Sequence, residues 1–161
     1  MAGKQSKLLD PGSRAPDFRL PRLDGGTVAL QEILANGPAV IAFFKTTCPV
    51  CQLTFPFLER IHKGGTLPVY AVSQDDAEDT REFNREFGLT LPTLLDSGRS
   101  GYPASDAFGI SSVPTTFLIE RDGGISRVIE GWSKRDIESL GELAGAQVFR
   151  QGDNVPEWKA G

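Results

Sequence analysis

The sequence predicts an α/β domain: a central mixed β-sheet flanked by helices, with an N-terminal β-hairpin extension. Three observations predict it. Ala39-Val40-Ile41-Ala42-Phe43-Phe44 is short, continuous and apolar, the pattern of a strand buried on both faces. Val69-Tyr70-Ala71-Val72 is a second such run, and between the two Leu53, Phe57, Leu58 and Ile61 recur at helical spacing. Thr115 to Ile119 and Ile125 to Ile129 then flank Asp122-Gly123-Gly124 as a hairpin. A strand–helix–strand unit followed by a hairpin and a helix gives a sheet with both parallel and antiparallel neighbours.

The remaining elements follow in chain order. Residues 1–11 read as a flexible start, 12–146 as the domain and 147–161 as a C-terminal tail. Asp17-Phe18-Arg19-Leu20 and Thr27-Val28-Ala29-Leu30 alternate around Asp24-Gly25-Gly26, which makes the N-terminal hairpin. Leu30 to Leu34 is one helical turn closed by Asn36-Gly37. The helix after the first strand stops at Gly64-Gly65. Asp75 to Phe87 is a second helix, its acidic first turn suited to the helix dipole and Gly88 its stop. Ser133 caps a last helix through Leu143. The tail is polar, and its Val155 and Trp158 are candidates to dock onto the domain or onto a partner.

Composition excludes several classes. At 161 residues, 39% hydrophobic and 24% charged, the chain has enough apolar side chains for one core. A net charge of -4 argues against nucleic acid or an anionic membrane surface as partner, because both require a basic face. No apolar run approaches the roughly 20 residues of a membrane span. Met1 to Asp10 lacks the apolar core of a secretory signal. The expectation is therefore a cytoplasmic monomer as the sequence stands. It becomes an extracytoplasmic one, periplasmic or secreted, if a signal segment has been removed. No cofactor and no metal are expected.

Chemistry concentrates at Thr46-Thr47-Cys48-Pro49-Val50-Cys51, which holds both cysteines. Cys48 falls where a buried strand gives way to a helix, and unsatisfied N–H groups at a helix N-terminus stabilise a thiolate. Pro49 suits the first helical position, where a missing N–H costs nothing. Cys51, one turn on, lies on the same side but deeper. An exposed nucleophile with a resolving thiol in reach is the arrangement that thiol–disulfide exchange requires. A structural zinc site wants four ligands, whereas the chain has two Cys and one His. That histidine, His62, sits two to three turns beyond Cys51 at about 1.5 Å per residue and reads as a C-terminal helix charge. A purely structural disulfide closing so small a loop would constrain the unfolded chain little.

Cys48-Pro49-Val50-Cys51, led in by Phe43-Phe44, resembles the active-site motif of thioredoxin-like proteins. Pro56 is similar to the proline that kinks that family's active-site helix. Ser112-Val113-Pro114-Thr115-Thr116-Phe117 resembles the family's cis-proline segment. The finer likeness is to the TlpA/ResA-like branch and the AhpC/TSA (redoxin) grouping. It is carried by Ala15-Pro16-Asp17-Phe18, Asp24-Gly25-Gly26, Leu94-Leu95-Asp96 and Phe108-Gly109-Ile110 in that order, and it covers roughly residues 12 to 145. The resemblance implies a thioredoxin fold and a dithiol oxidoreductase in which Cys48 attacks and Cys51 resolves. It implies a partner site around Thr47, Pro49, Val113 and Pro114, with Pro114 cis and the Val113 backbone open to an extended substrate. The implied partners are a protein dithiol or disulfide and a recycling reductant or oxidant.

Departures from the pattern bear on mechanism. Thr47 stands where many relatives have Trp, Ala42 where thioredoxin keeps a buried Asp, and Thr54 where ResA-like reductases carry a Glu. Both carboxylates able to relay a proton to the buried thiol are thus missing. A peroxiredoxin, the enzymatic rival, resembles Pro-x-x-x-Thr-x-x-Cys. Counted back from Cys48 those places hold Ile41 and Lys45, and from Cys51 they hold Phe44 and Cys48. A third possibility, from another class, is a binding module that uses the cis-proline groove without turnover.

Overall fold

The computed structural model describes residues 7–161. β1 (Arg19–Pro21) and β2 (Thr27–Ala29) pair antiparallel as the N-terminal hairpin and lead into α1 (Leu30–Ile33). In β3 (Ala39–Phe44) every residue is buried. Alternate side chains of a strand point to opposite faces. Val40, Ala42 and Phe44 therefore enter one core, and Ala39, Ile41 and Phe43 enter the other. Two apolar faces explain a run with no alternation.

α2 (Pro49–Gly64) crosses back to β4 (Val69–Ser73), which lies parallel to β3. α3 (Ala77–Glu86) leads to β5 (Thr93–Leu95), parallel to β4. α4 (Pro103–Phe108) precedes β6 (Thr115–Ile119), antiparallel to β3, and β7 (Ile125–Glu130) pairs antiparallel with β6. The sheet order is β5-β4-β3-β6-β7. β8 (Trp132–Ser133) turns directly into α5 (Lys134–Ala144), and β9 (Trp158–Lys159) pairs antiparallel with β8.

One face of the sheet carries Phe55, Leu58 and Ile61 of α2 with Ile137 and Leu140 of α5 and Phe83 of α3. The opposite face carries Phe18, Leu20, Ile33 and Phe108. Phe44 joins the first face, its ring 4.5 Å from that of Phe55 and 4.9 Å from that of Phe83. Each fully buried Phe contributes about 1.5–3 kcal/mol, so the strand that ends at the cysteines is firmly held.

Several local expectations change. α3 starts at Ala77 with Asp76 as its cap, whose carboxylate accepts the Asp79 N–H at 2.9 Å. Asp75 therefore lies ahead of the helix, not in its first turn. His62 is half-buried, and its Nδ1 accepts the Val69 N–H at 3.0 Å. It ties the end of α2 to β4 instead of standing as a solvated charge.

Of the start read as flexible, residues 1–6 lie outside the described residues. Leu8 and Leu9 pack on the core, and the Leu9 N–H donates to Phe108 O at 3.2 Å. The tail is anchored as well. Val148 is buried, and Phe149 lies against Phe57 with ring centroids 5.2 Å apart. Arg60 pairs with Asp153 at 2.6 Å. Val155 packs on the core, whereas the side chain of Trp158 is exposed although its backbone pairs with Ser133.

Candidate active site

Cys48 is the N-cap of α2, with Pro49 in the first helical position. Its Sγ accepts the Cys51 N–H at 3.1 Å and donates to Val113 O at 3.4 Å. One sulfur thus satisfies an orphan donor of the helix and touches the loop across from it. Cys48 is half-buried, and Cys51 is wholly buried beneath it. Both cysteines are free thiols.

Burial pushes the Cys51 thiol well above its ordinary range. A side-chain hydrogen bond with Cys48 adds to the rise, a backbone hydrogen bond at Lys45 opposes it, and the charges of Cys48 and Asp75 add a little more. Burial and protonation therefore both hold Cys51 back from reaction. Iodoacetamide at neutral pH is expected to label Cys48 at least about a hundredfold faster than Cys51, since each unit of raised pKa removes about tenfold of thiolate. Peptide mapping of the reduced protein checks this, and preferential labelling of Cys51 contradicts it.

The Val113–Pro114 peptide bond is cis. Pro114 is buried and Val113 half-buried, while Thr47 and Pro49 are exposed on the rim of the cysteine loop. The structure thus brings Cys48, Cys51, Pro49 and Val113 into one neighbourhood. Thr54 is wholly buried, and its hydroxyl donates to Val50 O at 2.7 Å. Ala42 is likewise buried, opposite Ala71 on one side and Thr116 on the other. Among the described residues the buried Thr116 hydroxyl on that face has no hydrogen-bond partner.

The sequence assigns Asp75 only a place in a helix start, whereas the structure sets it against the cysteine loop. Its Oδ2 accepts the Thr46 N–H at 2.7 Å, while Gln52 Nε2 donates to Thr46 O at 3.1 Å. The peptide just ahead of the cysteines is held from both sides. The available signal was Asp75-Asp76 at a helix start, where only one of two adjacent acids can cap. Among the described residues no three His, Cys, Asp or Glu side chains converge where they could hold a metal ion. Among the same residues no helix is long and apolar enough to cross a membrane.

A thioredoxin-type sheet with a dithiol at the N-terminus of its first long helix and a cis-proline loop against it defines a thiol–disulfide oxidoreductase. Residues 11–128 match the AhpC/TSA family. Thiol-disulfide oxidoreductase ResA of Halalkalibacterium halodurans is 31% identical over 141 residues, covering 84% of this chain and 78% of that protein. ResA of Bacillus subtilis is 30% identical over 134 residues, covering 81% and 72%. A thio-disulfide isomerase from Thermus thermophilus superposes with a TM-score of 0.68 at 28% identity, covering 86% of this chain and 99% of that one. The peroxidoxin BcpB of Mycobacterium tuberculosis superposes with a TM-score of 0.67 at 20% identity over 83% of this chain and 96% of its own, a likeness of fold alone. The chain belongs to the AhpC/TSA family, as a ResA-like thiol–disulfide oxidoreductase of thioredoxin fold.

Proposed function

We propose that Cys48 is the attacking thiol and Cys51 the resolving one in exchange with a disulfide of a partner protein. The contrast in burial between two thiols joined by one helical turn carries this assignment. The Cys48 thiolate attacks one sulfur of the partner disulfide, forming a mixed disulfide and releasing the other sulfur as thiolate. Cys51 then loses its proton and attacks Cys48 Sγ. The second partner thiol leaves, and a Cys48–Cys51 disulfide remains. Two electrons have passed to the partner, and a dithiol reductant returns them by the same steps in reverse. Run the other way, the pair oxidises a partner dithiol and is reoxidised by a disulfide.

The Val113 backbone, already in contact with Cys48, is the docking edge for the partner's extended chain. Exposed Thr47 and Pro49 form the opposite lip. Strand-like docking supplies main-chain hydrogen bonds largely independent of sequence.

Trapping tests this directly. A Cys51→Ser variant is expected to accumulate partners joined to Cys48 through reductant-sensitive bonds, while a Cys48→Ser variant, which keeps the buried Cys51, captures few or none. Equal or greater capture by the Cys48→Ser variant rules the assignment out.

A further inference from the structure

The C-terminal segment runs up to the Val113 loop that touches Cys48. After Arg60 grips Asp153, the Trp132 Nε1–H donates to Pro156 O at 2.6 Å, and the Lys134 N–H donates to Glu157 O at 2.9 Å. Trp158 and Lys159 then pair with Ser133 and Trp132. The strand direction carries Gly161 into the angle between two loops, the one before β6 and the one before β8. The loops are themselves joined there, with the Gly131 N–H donating to Pro114 O at 2.8 Å.

The fit is tight at the backbone. A Cβ at Gly161 would collide with the Val113 carbonyl and lie 3.4 Å from Pro114 N. A Cβ at Gly131, whose φ is +71°, would collide with Lys159 O and lie 2.9 Å from Gly161 N. Glycine is needed at 131 for both reasons, and at 161 for the close approach alone. The Val113 carbonyl that Gly161 crowds is the one that accepts the Cys48 thiol.

We infer that residues 157–161 form a strap seated in the partner groove, a tethered competitor that an incoming polypeptide must displace before reaching Cys48. This rests on the reading of Val113 as the docking edge. The strap suits that task because its two ends differ. Residues 153–156 are pinned by an ion pair, the Trp132 hydrogen bond and Val155 in the core. Residues 157–161 hold on by a two-residue ladder, the Lys134 N–H to Glu157 O bond and an exposed Lys134–Glu157 ion pair, and all five are exposed. Few buried contacts place such a segment at the easily opened end of local stability. A seat occupied about nine-tenths of the time lowers apparent partner affinity about tenfold. A small disulfide that reaches Cys48 without pairing to Val113 escapes the competition.

Exchange rates separate the cases. The full chain, a variant lacking residues 157–161 and a Gly161→Val variant are compared on a disulfide-bonded unfolded polypeptide and on oxidised glutathione. The expected result is a rise in kcat/KM of about tenfold for the polypeptide in the shortened form, with less than a twofold change for glutathione. A smaller rise in the same sense is expected for Gly161→Val, which leaves the ladder intact. The peptide Pro-Glu-Trp-Lys-Ala-Gly, added to the shortened form, should inhibit the polypeptide reaction competitively. Equal changes on both substrates, or none on the polypeptide, overturn the strap while leaving the dithiol chemistry standing. Failure of every form to exchange with glutathione overturns both.

Discussion

Replacing Cys48 with Ser is expected to reduce disulfide exchange by about a thousandfold or more, the scale seen when a covalent nucleophile is removed. A hydroxyl is not ionised near neutral pH and cannot form the mixed disulfide on which every later step depends. The fold should be indifferent to the change. Ser is a favoured helix N-cap, and its oxygen can accept the Cys51 N–H and donate to Val113 O as the sulfur now does. Stability is therefore expected to stay within about 0.5 kcal/mol or rise slightly. Thermal unfolding of both reduced proteins, measured beside insulin reduction by a dithiol, separates the two effects. Residual turnover above about a tenth of the parent rate would mean that another group attacks.

What could be read from the sequence, and what could not, follows from where the physics is local. β3 was legible because six consecutive residues serve two cores, and the cysteines could be placed because a proline and a helical repeat follow directly. β5 was not, since a three-residue strand behind Pro92 carries too few side chains to show a period. α4 hid for a different reason. Its first N–H groups are satisfied from a distance, Asp96 accepting from Ala104 N at 2.8 Å and Ser105 N at 2.7 Å, so no capping residue precedes it. In the tail Val155 was legible as a docking residue, but Val148 and Phe149 follow no repeat, and the Arg60–Asp153 pair and the Trp132 bond to Pro156 O join positions far apart in sequence. Asp75 was missed as a site residue because its role is to hold a loop 29 positions away in sequence.

Installing Glu at position 54 is expected to speed resolution of the Cys48 mixed disulfide about tenfold or more near pH 7, within the range of a positioned general base. Resolution needs Cys51 as thiolate, and burial holds that thiol protonated far above neutral pH. In the parent, resolution should therefore be slow at pH 7 and accelerate as pH rises. Thr54 gives little help because its proton is committed to Val50 O. A carboxylate on the same helical face, one turn beyond Cys51, takes the thiol proton instead and flattens the pH dependence. Burial raises the pKa of this new carboxyl above its unfolded value of about 4.3. The rate gain consequently appears only once pH exceeds the raised value. Linkage runs the other way: the neutral acid is tolerated below about pH 4, and the variant loses stability relative to the parent as pH rises through the folded pKa. Overpacking at so buried a place adds about 1–3 kcal/mol of destabilisation at any pH. Stopped-flow decay of a Cys48 mixed disulfide from about pH 6 to 9, alongside chemical denaturation, reads both effects. A variant no faster than the parent throughout that range defeats the proton-relay account. The base must then be sought at Asp75, the carboxylate whose field already reaches Cys51. An Asp75→Asn variant, which keeps an acceptor for the Thr46 N–H, should slow resolution at neutral pH if Asp75 is the base, and speed it if Asp75 acts only as a charge that raises the Cys51 thiol.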